Sequence, residues 1–462
     1  MKRQFNVLDT NIITYLIIGV MLPLLFITSL NRQFDYDEFE VIHSSWKISK
    51  GEVIYKDFFQ HHNPLLYYCL VPFITFFGER LIVLYCARIF IFILFLSIVF
   101  ISYLLAKKVA DRDIALISTA LLLTTIIFTG KAIEIRPDVP QVLFSMLSVL
   151  FLYYYFDKNK VSFLIFSALA LSVSFLFLQR AVFFIMVLGC LFIFKLFKKE
   201  IGLKECILYL FIFFCGLCPY LVYLIIKGSV SEYMIFNWIF NAHIKGLSDF
   251  TPFAELVRSL RKNTILWMFY ITGMAFHLRN YKHKSIGLFS IGLLLTLLLT
   301  KSSFQQYYMM AMPFIAIISS LSINRFFGNK RKIMCFILIL LLVTCLSRTI
   351  KYAFKLTNKD QLKKVSYVLE NTDPKDFVYD GDARFNLFRK DLDFFWYALR
   401  PNTGALSAYR KITPYSYDIY SLIGLKKPKI ISDYYIEDIE NKVIRDNYIR
   451  SAEYRDLYIR RF

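Results

Sequence analysis

Long uninterrupted apolar runs, rather than alternating or amphipathic patterns, dominate most of this chain. Leu81 to Ala106, Ile207 to Ile226 and Ile333 to Leu346 are examples. A helix of about 20 residues is about 30 Å long, the thickness of a bilayer's hydrocarbon. The pattern therefore predicts spanning helices near 11–30, 81–106, 114–130, 140–156, 161–178, 181–197, 206–226, 264–278, 285–300, 307–323 and 333–350. One further run, 64–77, is short and interrupted by Pro72, and it reads as a helix lying in the outer interface. Past residue 351 charges become frequent. There 360–370 has helical amphipathicity, and Phe377-Val378-Tyr379 reads as a short strand before the turn at Gly381. The expected fold is an all-α polytopic membrane protein of about 11 transmembrane helices. A membrane domain, 1–350, is followed by a small extracytoplasmic α/β domain, 351–462.

Composition agrees: 57% of the 462 residues are hydrophobic, more than a solvated globular surface allows. The net charge of +21 would suggest a nucleic-acid partner if it were clustered on a polar domain. Instead Lys and Arg concentrate in the short segments 1–10, 107–113, 157–160, 195–205, 277–284 and 324–332, while the longer loops opposite are poorer in them. That is the positive-inside pattern, and it puts the N-terminus in the cytoplasm. No nucleic-acid partner is implied. The eight Cys lie in or beside apolar segments, and the Cys215/Cys218 pair, lacking partner cysteines, reads as small core residues.

Chemistry collects in three loops on the outer side. Residues 31–63 carry Asp35, Asp37, Glu38, Glu40, Glu52 and Asp57, then His61-His62. Residues 131–140 read KAIEIRPDVP, and 301–308 read KSSFQQYY. Each has an ordinary structural explanation. Asp37 suits the first turn of a helix, Asp138 a cap beside Arg136, and Tyr307 and Tyr308 an aromatic belt. Lys301 and Arg180 suit interfacial anchoring.

Asp37-Glu38 just after the first span resembles the Asp-Glu signature of the GT-C glycosyltransferases, the superfamily of the protein O-mannosyltransferases and lipid A aminoarabinose transferases. Gly51-Glu52-Val53-Ile54-Tyr55-Lys56-Asp57 and His61-His62-Asn63-Pro64-Leu65 continue the resemblance to the dolichyl-phosphate-mannose-protein mannosyltransferase-like branch. Ile54 and Asn63 replace prolines common there. Arg136-Pro137-Asp138 looks like that branch's second-loop acid, and Gln305-Gln306-Tyr307-Tyr308 its late aromatic stretch. The resemblance implies transfer of a sugar from a polyprenyl-phosphate donor to a hydroxyl of a lipid, polysaccharide or protein, on the extracytoplasmic face of a bacterial plasma membrane. It implies Asp37 as general base, with Glu38 and Asp138 as further catalytic candidates. Lys301, Arg180, His62 and Tyr307 are the candidates for the donor phosphate. A divalent metal is an open requirement, with His61, His62 and Asp138 as its candidate ligands. A transporter of lipid-linked saccharide is the alternative. It should carry ionisable residues in mid-span, whereas here the acids gather in loops.

Overall fold

A computed structural model describes residues 10–244, 251–278, 281–300, 303–400, 404–414 and 418–461. In chain order, the first helices are α1 (Thr10–Asn31), α2 (Tyr36–Ser49), α3 (Leu65–Phe77), α4 (Ile82–Val109), α5 (Arg112–Leu123), α6 (Ile126–Lys131) and α7 (Asp138–Lys158). Next come α8 (Val161–Phe177), α9 (Ala181–Phe197) and α10 (Leu203–Lys227). Two short helices, α11 (Val230–Tyr233) and α12 (Phe240–His243), flank a π-helical turn. The later apolar part holds α13 (Pro252–Lys262), α14 (Thr264–His277), α15 (Tyr281–Leu298), α16 (Met312–Phe327) and α17 (Arg331–Phe354). The tail begins with α18 (Lys359–Glu370) and β1 (Val378–Tyr379), as its pattern predicts.

Among the described residues five helices are long and apolar enough to cross a membrane: α1, α4, α7, α10 and α17. Shorter apolar stretches of 10–17 residues accompany them: α3, α8, α9, α14, Lys284–Leu298 within α15, and α16. The protein is thus a multi-pass membrane protein. At 13 residues, α3 extends only about 20 Å. The single span predicted over 114–130 is instead broken after Leu123. There Thr124 and Thr125 turn their hydroxyls back onto the carbonyls of Ala120 and Leu121, and the Asn263 side chain accepts the freed N–H of Ile126 at 2.8 Å. Hydroxyl back-bonding of this kind bends helices, and hydropathy does not register it. Cys215 and Cys218 are exposed on α10, not in a core.

The chain forms two compact units. The first comprises residues 1–32, 88–219 and 250–356. Its centre is α5 and α16, whose side chains are buried from Ile114 to Leu123 and from Met312 to Ile323, with α1, α14 and α17 packed around them. The second comprises residues 33–87, 220–249 and 357–462. It holds a four-stranded sheet of order β1-β2-β4-β3, with β2 (Ile430–Ser432), β3 (Tyr448–Arg450) and β4 (Leu457–Arg460). β1 and β2 are parallel, and the other pairings are antiparallel. Its aromatic core centres on Phe59, whose ring meets those of Phe236, Phe240, Phe395 and Tyr409. The tail thus contains a small α/β layer.

Candidate functional site

In the second unit, α2 begins where Asp35 and Glu38 form a capping box, the Glu38 carboxylate accepting the Asp35 N–H at 2.9 Å. Capping satisfies N–H groups that a helix start leaves without partners, so Glu38, wholly buried, has a structural task. Asp37 stands in the same first turn, half-buried. Successive helical side chains point about 100° apart, so the two acids face different surroundings. One turn on, Glu40 is only 3% exposed. It accepts from Gln60 Nε2 and from the hydroxyls of Ser44 and Tyr67, both at 3.4 Å. Burial, then the nearby Asp37 charge, push its carboxyl up to about 8.

The loop between α2 and α3 is pinned from inside. The carbonyl oxygen of the Gln60 side chain accepts the His61 and His62 N–H groups at 2.7 and 3.3 Å, and the Tyr55 hydroxyl donates to the His62 carbonyl at 2.6 Å. The rings of His61 and His62 lie 3.9 Å apart, and His61 Nδ1 is hydrogen-bonded to the Tyr397 hydroxyl. Among the described residues no group of three or more His, Cys, Asp or Glu side chains comes together as a metal site.

A cluster that sequence reasoning missed lies further along α2. Asp391 accepts His43 Nε2 at 2.8 Å and Lys47 Nζ at 2.7 Å, while Asn386 donates to its other oxygen at 3.1 Å. Burial pushes the Asp391 carboxyl up, but His43 and Lys47 outweigh it and hold the group below the usual carboxylate range. Nothing in the spacing of 43, 47 and 391 announces this contact.

The first unit holds the second-loop acids. Asp138 opens α7 and is 3% exposed. Its Oδ1 accepts Arg180 Nη1 at 2.8 Å and its Oδ2 accepts Arg136 Nε at 3.4 Å. The Arg180 guanidinium lies 3.6 Å from the Tyr307 ring centroid. Three predicted residues, Asp138, Arg180 and Tyr307, are thus brought together, whereas Lys301 lies outside the described residues. Glu134, wholly buried, pairs with Arg32 at 2.7 Å, Lys131 at 2.9 Å and Arg136 at 3.7 Å. Arg348 and Arg32 both stand 5.5 Å from the Tyr352 ring. Lys262 is pushed down by burial and then by Arg348, with Arg258 and Lys131 adding to it against Glu255. The connected group holds seven basic side chains (Arg32, Lys131, Arg136, Arg180, Arg258, Lys262 and Arg348) against the acids Glu134, Asp138 and Glu255. Only Arg136 of the seven is fully buried and the others are partly so, and such an excess of partly desolvated positive charge favours an anion. Glu134 and Lys131 were not singled out in the sequence, although the charge density of KAIEIRPDVP could have found them. Arg258, Lys262 and Arg348 sit in unremarkable sequence.

The description "dolichyl-phosphate-mannose-protein mannosyltransferase" belongs to a family model that matches residues 61–232. No curated protein matches the chain in sequence. The crystal structure of ArnT from Cupriavidus metallidurans bound to undecaprenyl phosphate superposes with a TM-score of 0.73 at 12% identity, over 96% of this chain and 97% of that one. The chain has the ArnT-like GT-C fold. AglB, an archaeal oligosaccharyltransferase from Archaeoglobus fulgidus, in complex with an inhibitory peptide and a dolichol-phosphate, shares the GT-C architecture. It matches with a TM-score of 0.59 at 10% identity, over 90% of this chain and 69% of that one. The chain thus resembles the mannosyltransferases through one segment and ArnT through the whole fold. The segment takes in His61, His62, Asp138 and Arg180. Asp37, Glu38, Lys301 and Tyr307 lie outside it.

Proposed function

We propose that the protein is a glycosyltransferase that moves a sugar from a polyprenyl-phosphate donor to a hydroxyl of a lipid, polysaccharide or protein. The observation that carries this reading is the partly buried cluster of seven basic side chains around the buried acids Glu134, Asp138 and Glu255. Bond cleavage at the anomeric carbon leaves its electron pair on the phosphate oxygen, and preorganised cations stabilise that developing charge. Arg180 suits this role because Tyr307 and Asp138 fix its plane. Lys301 and His62 remain donor-phosphate candidates from the sequence. Asp37 takes the proton of the incoming hydroxyl, and Asp138 orients Arg180. Glu38 supports Asp37 by capping the start of its helix. His61, His62 and Asp138 are the residues to test for a divalent metal. The Lys/Arg bias supports an active face outside the cytoplasm, and the reading takes the membrane to be a bacterial plasma membrane, with 1–350 as the catalytic membrane domain and 351–462 as an extracytoplasmic one.

Purified protein should transfer sugar from a polyprenyl-phosphate donor and not from a nucleotide-activated one. Asp37→Asn, which cannot accept a proton at neutral pH, should insert normally and lose at least about a hundredfold in rate. Turnover of a nucleotide sugar without lipid carrier would overturn the donor. Full activity in a well-expressed Asp37→Asn protein would overturn the base.

A further inference from the structure

Glu40 is a buried acid for which the proposed reaction has no use. Three donors converge on a single oxygen, Oε1: Gln60 Nε2, Ser44 Oγ and Tyr67 Oη. The orientation of Gln60 is settled independently, because its own carbonyl oxygen is engaged by the N–H groups of His61 and His62. Its amide nitrogen must therefore face Glu40, and Oε1 must be an acceptor. Oε2 takes none of these bonds. A carboxylate so placed would be a buried anion with no cation bonded to it among the described residues. The charged or titratable groups that face it are Asp37 on its own helix, Tyr67 on α3 and Tyr397 from the tail. One is an anion and two are phenols, so none offsets a second negative charge. A neutral acid resolves the conflict, with Oε1 as its carbonyl oxygen and the proton on Oε2.

The connectivity gives that acid a position of consequence. Glu40 lies three residues after Asp37 on α2, on the adjoining part of the helix surface. Through Gln60 it reaches the backbone of His61 and His62. We propose that Glu40 is a positioning residue that works only while protonated: as a neutral acid it clamps the Asp37 helix to the His61–His62 turn, and its ionisation shuts the enzyme down at alkaline pH. The proton leaves from Oε2 to solvent. The resulting anion is buried one helical turn from the Asp37 charge with no cation bonded to it among the described residues, and its need for hydration pulls the clamped geometry open. This inference rests on the glycosyltransferase reading above.

Glu40→Gln tests it, because glutamine keeps the shape and the accepting Oε1 but cannot ionise. Transfer from the polyprenyl-phosphate donor should be measured across pH for both proteins, each relative to its own rate at pH 7. Wild type should fall about tenfold for each pH unit above a midpoint near 8, and Glu40→Gln should lack that limb. Glu40→Ala, which removes the acceptor, should be impaired at every pH. An alkaline limb shared by wild type and Glu40→Gln would overturn the proposal. Infrared difference spectra decide the proton separately from any turnover. A protonated-carboxyl band should be present in wild type at pH 7, absent in Glu40→Gln, and lost on titration through the same midpoint. Its absence in folded wild type would overturn the proposal even if transfer is observed. Its presence in a protein that transfers no sugar would leave the neutral acid standing and instead count against the proposed activity.

Discussion

Asp391 shows how much one carboxylate can organise in this protein. It receives the His43 imidazole and the Lys47 ammonium from α2 and the Asn386 amide from the tail. Removing one partner of a buried ion pair is costly because the other charge stays behind without compensation. Asp391→Asn should therefore lower stability by about 3–5 kcal/mol, read as a fall in thermal or denaturant midpoint in detergent. The pH dependence has a definite sign. Because the folded carboxyl titrates below its ordinary value, its contribution is complete above the unfolded pKa of about 3.9 and disappears as pH falls through the folded one. Wild type and Asp391→Asn should converge in strong acid, and equal midpoints at neutral pH would contradict this account. None of this was readable from the chain, since 43, 47 and 391 share no pattern. The acids of 31–40 were legible as a group, yet not their separate tasks: Glu38 caps and Glu40 is buried behind Asp37.

Among the elements, the break between α5 and α6 places the Lys131–Glu134 segment, and Asn263 keeps it in place. Asn263 ends α13 and precedes α14, and its side-chain oxygen serves the Ile126 N–H. In Asn263→Ala that part-buried N–H loses its acceptor, which costs about 1 kcal/mol, the low end for an unsatisfied group. The variant should melt earlier than wild type, and an unchanged melting temperature would mean that another group meets the Ile126 N–H. The apolar helices themselves were plain in the sequence, because hydrocarbon demands length and hydropathy of each one separately. The interruption at Thr124 was not, because two threonines barely alter the hydropathy of a 17-residue window. α18 and β1 were also visible, since amphipathic period and turn residues are local signals.

For the whole molecule, the Lys/Arg-rich short loops make a prediction that needs no activity. Reporter fusions at positions 45 and 455 should both report a non-cytoplasmic location, and a cytoplasmic signal from either would reverse the proposed orientation. The GT-C architecture could be anticipated from the order of loops and spans, whereas the grouping of segments into units could not. The second unit draws on three separated stretches, 33–87, 220–249 and 357–462, and Lys47 meets Asp391 across 344 residues. At roughly 5–20 residues per second, the ribosome needs on the order of tens of seconds to bring that partner out. Until then His43 and Lys47 on α2 lack the carboxylate they are buried against. Completion of the loop that carries Asp37 therefore waits on the synthesis of Asp391, and a chain cut short of it keeps that loop without the carboxylate that ties it down.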